Sequence, residues 1–564
     1  REHGASNRLA RAGTTNDASW SANAASGGSV TNAAPAQPSP EEFVRKRYEQ
    51  YRIVIEDSDA EWVLQRFLSA VAAAYDPHTA YMAPAAMEDF NIEMNLSLGG
   101  IGAVLSPEDG AAKVREIIPG GPAARDSRDI RLREGDKIIG VGQDDGPIDD
   151  VLHLPLTQTV RKIRGKKGTR VVLQVVSASD PSGGSVRLVD LIRDDVKLEE
   201  QAATGHVARV SLTGAVARAF GVVRLPTFYG SMTQNPRDPS YRSCTRDVQR
   251  ILAGMNDEIE GLILDLRGNG GGSLREAVDL AGSFIKLGPV VQVREIGRIH
   301  LLADRDPAIA FRKPMVVLVN RISASASEIV AAALQDYGRA VIVGDSRTHG
   351  KGSVQTIIPL GSDKRLGSLK VTCANYYRIS GGSTQLRGVE PDIVIPSTLE
   401  HFEIGEDKLP NAMPWTRVSP AQFRRVYDLG SLIPVLSSNI FARLAGDERY
   451  QGHLRHVEHV REISKRESLP LEKSARMAQF VAEEALRRAN GLDVDGPDDS
   501  PREDVGAPDD ETNGDGPGDS DDLVLDAALR VLAHLTDLQR GETIRPSHEQ
   551  SLEVQDWLRR IFVP

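Results

Sequence analysis

The stretch Met315–Gln355, MVVLVNRISASASEIVAAALQDYGRAVIVGDSRTHGKGSVQ, decides the reading of this chain. Its apolar run Met315 to Val319 has the length of a buried strand. A turn of small residues follows, Ser323-Ala324-Ser325-Ala326-Ser327. Apolar residues at Ile329, Val330, Ala333 and Leu334 then predict a helix over Glu328 to Gln335. A second short strand, Ala340 to Val343, leads to a lysine framed by glycines, Gly350-Lys351-Gly352. A serine at a strand-to-helix turn exposes its hydroxyl, and the unpaired N–H groups of the helix N-terminus beyond it can stabilise a developing oxyanion. The same residues also describe a serine-rich cap followed by a loop lysine. Spacing alone does not decide between these readings, and chemistry alone does not choose among Ser323, Ser325 and Ser327.

A nucleophilic serine needs a base. His349 is the one nearby histidine, and no local Ser/His/Asp pattern surrounds it. Lys351 is the alternative, but a lysine accepts a proton only when neutral. From its reference pKa of about 10.4, confinement must lower it by roughly 3 units, about 4 kcal/mol. The glycines on both sides permit close packing around its stem.

The rest of the chain bounds the possibilities. At 564 residues it is long enough for several domains, and 40% hydrophobic and 26% charged residues suit a soluble globular protein. No apolar run approaches the roughly 20 residues of a membrane-spanning helix. Residue 1 is Arg and no signal sequence is visible, so the expectation is a trimmed fragment or mature form. The two cysteines, Cys244 and Cys373, exclude a disulfide framework and a cysteine-based zinc site. Between Gly491 and Asp522 stand 13 acidic residues and one arginine, so this segment accounts for the net charge of −11. No basic excess is left to suggest nucleic acid.

Residues 1–40 are rich in Ala, Ser, Asn, Thr and Pro and read as a disordered tail or linker. Helices are predicted from Pro40 through EEFVRKRYEQYRIVI, after a cap at Ser39, and over Glu61 to Tyr75, after Asp57-Ser58-Asp59. From residue 96 the texture changes to short strands and turns. Gly100-Ile101-Gly102 makes a loop whose free N–H groups can hold a terminal carboxylate. The strand Ala103 to Leu105 can pair with an extended peptide, and a helix over Leu154 to Ile163 would wall the groove. Further strands are read at ARVSLTG and at Gly221 to Tyr229. A helix is expected over Ser243 to Met255, a buried strand over Leu262 to Leu266, and a helix over Leu274 to Phe284. The loop DLRGNGGG between the last two raises a nucleotide-binding alternative, but its spacing is neither GxGxxG nor GxxxxGK[ST]. A calcium loop at Asp493 to Gly496 lacks the glutamate such loops require. His78 has no partners at metal-ligand spacing and reads as part of a turn. Further helices are predicted over Ala475 to Ala489 and Leu523 to Leu538, with 491–522 an acidic linker.

SASASEI, ALQDYGRA and GKGSVQ together resemble the catalytic core of the C-terminal processing peptidases, or tail-specific proteases, most of all the long bacterial branch. DPHTAYM and LPTFY match elements of the same family. GGIGAVLS, IIPGGPAARD and LREGDKIIGV, in that order, resemble a PDZ domain of the type these proteases carry. The resemblance implies Ser325 as nucleophile, Lys351 as base, Gln355 as the residue orienting the lysine and Asp336 as a supporting aspartate. Ser323 and Ser327 then become turn and N-cap residues. Oxyanion N–H groups would come from Ala326 and from Gly271 or Gly272, and tail binding from Gly100, Ile101 and Gly102. One departure is visible: DSRTHGKG is one residue longer than the family's usual run, and His349 stands where an aromatic is common.

The implied fold is α/β and multidomain, a crotonase-like protease core with an inserted PDZ-like domain and flanking helical regions. Its parts would be a tail at 1–40, an N-terminal helical region at 41–95, the PDZ-like domain at 96–200 and the peptidase core at 201–400. A C-terminal helical region at 401–490, the acidic linker at 491–522 and terminal helices at 523–564 would follow. The implied function is a serine endopeptidase acting on proteins with apolar C-termini, without metal or organic cofactor. An adaptor or activator and a location outside the cytoplasmic membrane are further implications. Two rivals stand beside it: a catalytically silent PDZ-bearing scaffold, and acyl chemistry on a crotonase-like fold.

Overall fold

The computed structural model describes residues 60–541, apart from 109, 179–185, 198–200, 212–216, 232–240, 362–365, 467, 469 and 490–521, together with helical positions Glu41, Val44, Arg45, Tyr48 and Arg52. The predicted caps at Ser39 and Asp57–Asp59, the tail and the body of the acidic linker lie outside these residues. The chain divides into two units, 1–64 and 65–564, with helix α1 (Ala60–Ala73) running across the division.

In the second unit, strand β1 (Ala80–Met82) and helix α2 (Pro84–Asn95) lead to β2 (Ser97–Gly100). A sheet follows, built from β3 (Ala103–Glu108), β4 (Ala111–Ile117), β5 (Lys137–Gln143), β6 (Ile148–Asp150), β7 (Arg170–Val176) and β8 (Val186–Ile192), with the short helix α3 (Pro122–Arg125) and helix α4 (Leu156–Ile163). Its order is β3-β4-β5-β7-β8, with β6 beside β5, so β3 is an edge strand. Strand β9 (Asp194–Lys197) then pairs antiparallel with β2, Ser97 opposite Lys197 and Gly100 opposite Asp194. The chain thus enters and leaves this insert through one two-stranded neck. The insert has its own core of Val114, Ile138, Val171, Leu173, Val189 and neighbours.

Beyond the neck come β10 (Thr204–Val210), β11 (Arg218–Arg224), α5 (Cys244–Met255), β12 (Leu262–Asp265), α6 (Leu274–Gly282) and the hairpin β13 (Gly288–Glu295) and β14 (Arg298–Asp304). Then follow β15 (Met315–Val319), α7 (Ala326–Asp336), β16 (Val341–Gly344), β17 (Ser353–Pro359), β18 (Ser368–Tyr377) and β19 (Ile393–Val394). The central sheet runs β10-β11-β12-β15-β16-β19, parallel from β11 onward with β10 antiparallel at its edge. A second sheet runs β1-β18-β13-β14, with β17 also on β18.

The alternation of side chains along a strand explains why the central strands are apolar throughout. On β15, Met315, Val317 and Val319 face one core, which they share with α5, α6, α7 and Tyr376 of the second sheet. Val316 and Leu318 face another, covered by helices α8 (Ile433–Leu444) and α11 (Leu523–Gly541). Helices α9 (Glu448–Ser464) and α10 (Lys473–Ala489) complete the described chain. No single helix among the described residues is long and apolar enough to cross a membrane.

Two sequence expectations need adjustment. The strand read over Gly221 to Tyr229 ends at Arg224, because Pro226 has no N–H for a ladder; beyond it, Phe228 makes only an isolated bridge to Gly272. The helix expected from Glu328 begins at Ala326, so Ser325 takes the N-cap position and Ser327 lies within the first turn.

Candidate active site

Strand β15 and helix α7 meet at a turn in which the three serines have different fates. Ser323 is fully buried and its hydroxyl donates to Leu266 O at 2.8 Å. Ser327 is fully buried and its hydroxyl donates to Asn269 O at 2.9 Å. Ser325 is half-buried, and among the described residues its hydroxyl donates to no acceptor. Its backbone has φ +55° with ψ −108°, a sparsely populated conformation that costs a non-glycine residue about 1–3 kcal/mol and recurs at functional sites. The turn is held from below by Asn269, fully buried, whose carbonyl also accepts from Ala324 N at 3.0 Å.

Glu328, three residues into α7, joins this turn to the lysine loop. Its Oε2 accepts from Ser325 N at 2.7 Å and from Lys351 N at 3.1 Å, and its Oε1 from Thr348 Oγ1 at 2.6 Å and Gly350 N at 2.7 Å. One carboxylate oxygen therefore fixes the backbones of both Ser325 and Lys351. Tyr376 adds a second tie: its hydroxyl donates to Lys351 O and lies 3.3 Å from Ser325 O. Burial pushes Glu328 up to about 7, against the pull of its four donors. Sequence reasoning missed this residue as more than a helix start; a glutamate three residues after a cap serine is the signal that could have found it.

Lys351 is drawn down to about 8, first by burial and then by the nearby Lys370 ammonium; the carboxylates of Glu406, Glu328 and Asp76 oppose the shift. Among the described residues no hydrogen bond joins Ser325 Oγ to Lys351 Nζ. Gln355 lies on β17, where its amide donates to Ser353 Oγ at 2.9 Å and Thr372 Oγ1 at 3.2 Å rather than to the lysine. Thr372 in turn donates to Asp76 Oδ1 at 2.8 Å, so Gln355 reaches the charges around Lys351 indirectly. Asp336 is at the far end of α7, an 11-residue helix and so about 15 Å long. There it accepts from Arg378 at 2.6 Å and Ser380 at 3.0 Å, apart from Ser325 and Lys351.

The glycine loop closes the other side. A Cβ on Gly271 would stand 2.8 Å from Ser325 Cβ and 3.2 Å from Ala326 N, so only glycine admits this approach. Gly271 N itself donates to Asn269 Oδ1 at 2.8 Å. The N–H groups of Gly272 and Ala326 have no acceptor among the described residues.

Burial pushes the His349 imidazole, in the longer loop before Lys351, below its ordinary pKa, and its Nδ1 lies 3.9 Å from Glu406 Oε2. His78, read as a turn residue, hydrogen-bonds Glu406 Oε2 through Nε2 at 2.8 Å. Cys244 and Cys373 are both free. In the insert, Ile101 and Gly102 lie between β2 and edge strand β3, Gly100 closes β2, and among the described residues no acceptor meets the Ile101 and Gly102 N–H groups.

A parallel α/β core, a serine at the head of a buried helix and a half-buried lysine whose backbone is tied to the same carboxylate define the class as a serine-type peptidase fold with a PDZ-like insert. The chain belongs to peptidase family S41, whose model matches residues 219–395. Models of the tail-specific protease N-terminal and C-terminal domains match residues 20–85 and 399–537. The chain is 38% identical over 452 residues to the tail-specific protease of Haemophilus influenzae, covering 78% of this chain and 62% of that protein. It is 31% identical over 354 residues to the carboxy-terminal-processing protease of Bartonella bacilliformis, covering 62% of this chain and 73% of that protein. A solved PDZ domain of the carboxy-terminal protease from Vibrio cholerae, in complex with peptide, is 40% identical and covers 18% of this chain and 100% of its own, at a TM-score of 0.17.

Proposed function

We propose that this chain is a serine endopeptidase with a Ser–Lys pair, which takes hold of protein substrates by an apolar C-terminal tail. The observation that carries the reading is the single Glu328 oxygen that fixes both Ser325 N and Lys351 N. In the mechanism, neutral Lys351 accepts the Ser325 proton as Ser325 Oγ attacks the peptide carbonyl. The oxyanion lies between the Ala326 N–H and the Gly272 N–H, with Gly271 providing the space. The Lys351 ammonium then protonates the leaving amine, and water, activated by the same lysine, releases the acyl group and restores Ser325.

Tail recognition falls to the insert. The free N–H groups at Ile101 and Gly102 suit a terminal carboxylate, and the open edge of β3 suits an added strand. The apolar residues Ala103, Leu105 and Leu156 beside it suit an apolar tail. Gln355 and Asp336 act at a remove from the chemistry, Gln355 through Thr372 and Asp336 by anchoring the far end of α7. The location that goes with this reading is outside the cytoplasmic membrane.

The test is cleavage of one unfolded substrate carrying either an apolar C-terminal tail or the same tail ending in Asp-Asp, by the wild type and by Lys351→Ala. Preferential cleavage of the apolar form, lost in Lys351→Ala, supports both the base and the tail groove. Degradation that persists in Ser325→Ala would rule the mechanism out. Binding of the apolar tail without cleavage would favour a scaffold.

A further inference from the structure

The lysine loop has a second buried carboxylate beside it, and it comes from outside the peptidase segment. Glu406 lies in the part of the chain matched by the C-terminal-domain model, in a short turn Glu406–Lys408. It is fully buried. His78, from the part matched by the N-terminal-domain model, hydrogen-bonds both its oxygens, at 3.0 and 2.8 Å. Gln385 Nε2 donates to its Oε1 at 2.9 Å, and the other end of the same amide, Oε1, accepts from Gly352 N at 2.8 Å. Glu406 N donates to His349 O at 3.0 Å. Glu406 is thus joined on both flanks to the run His349-Gly350-Lys351-Gly352, by its backbone N–H on one side and through its carboxylate and Gln385 on the other.

We propose that Glu406 is a positioning residue of the Ser–Lys site: clamped between His78 and Gln385, it holds the glycine-framed lysine loop in place and faces Lys351 with a fixed negative charge. The inference rests on the Ser–Lys reading and assigns its regulation to residues contributed by the flanking domains. The groups facing Lys351 are Lys370 from β18, Glu328 from α7, Asp76 from the turn after α1, His349 from its own loop, and Glu406. Those facing Glu406 are His78, His349 and Lys351, with Arg321 beside Gly405 and the Arg347–Asp407 pair next to it. Burial favours the protonated form of Glu406, but the His78 hydrogen bond and charge and the Gln385 amide outweigh it and keep the carboxylate ionised. That charge favours the ammonium form of Lys351, so it holds the base back from losing its proton. Lys370 acts in the opposite sense.

The test is the pH dependence of two reactions: hydrolysis of a short apolar-tailed peptide, and labelling of Ser325 by a fluorophosphonate probe. Both are run on the full chain as wild type, Ser325→Ala, Glu406→Gln and Glu406→Asp. Glutamine keeps an oxygen for the Gln385 amide while removing the charge. The expected result is an acid limb displaced to lower pH in Glu406→Gln and returned toward the wild-type position in Glu406→Asp, in both reactions. A uniform loss at every pH with the limb unmoved would make Glu406 a packing residue and overturn the proposal. Should Glu406→Gln fail to fold, Glu406→Asn beside Glu406→Asp carries the same comparison, one charge apart at equal length. Labelling or hydrolysis unchanged in Ser325→Ala would instead sink the Ser–Lys reading, and this inference with it.

Discussion

At the level of single residues, the site is a problem of proton affinity. In the proposed mechanism Lys351 serves as a base only when neutral, and its value of about 8 places the change within reach of a rate measurement. Below that value kcat/KM should fall about tenfold for each pH unit, and above it the profile should level off. Lys370→Ala removes a cation that favours the neutral lysine, so its acid limb should move to higher pH, which a pH series on a peptide substrate measures directly. The serines make a second residue-level prediction. Ser325→Ala should abolish turnover. Ser323→Ala and Ser327→Ala should keep the chemistry but lose about 1–2 kcal/mol in urea unfolding, because each strips a donor from a buried carbonyl. Spacing and chemistry left these three hydroxyls equivalent, and only the family resemblance singled out Ser325. What separates them is the position of Leu266 O and Asn269 O, 57 and 58 residues away in the chain, which no local pattern encodes.

Among the elements, helix α7 and its first-turn glutamate hold the two halves of the site together. Glu328→Gln places an amide N–H against a backbone N–H on one side, since each of its oxygens accepts from at least one backbone N–H that cannot turn to accept. We expect kcat to fall by about 10²-fold with the protein still folded. The same residue shapes stability. Its folded pKa of about 7 is above the unfolded value of 4.5, so the folded state binds the proton more tightly and stability declines as pH rises between the two. The decline is of order 3 kcal/mol, and Glu328→Gln should flatten it in unfolding curves taken across that window. Elements with an unambiguous apolar run were readable from sequence, β12, β15 and β16 among them; helix α5 was read from Ser243, which the structure makes its cap, accepting a hydrogen bond from Arg246 N. The hairpin of β13 and β14 was not, because β13 is buried along most of its length while β14 mixes Arg298 and His300 among its apolar residues. Its partner β18 lies far downstream, so the pattern becomes meaningful only once Val293 meets Tyr376.

For the whole molecule, the resemblance of ordered motifs made the architecture legible, while the joints between its parts needed coordinates. One joint is the N-terminus of α11, where Asp522 accepts from Arg267 at 2.6 and 2.9 Å and Arg267 also grips Asp265 at the end of β12. Leu525, Leu529, Leu532 and Leu535 then cover one face of the central sheet. Deleting the chain from Asp522 onward would expose that face, at about 1.5–3 kcal/mol for each leucine lost. We therefore expect the truncated chain to aggregate or to melt at a markedly lower temperature, as read by scanning calorimetry. The other joint, between His78 and Glu406, spans 328 residues. A ribosome makes Ser325 and Lys351 well before it makes Glu406, so a growing chain carries both for some 55 residues without the Glu406 contacts to the lysine loop. On the proposed reading, the order of synthesis therefore leaves the lysine loop without its clamp until nearly the whole core has been made.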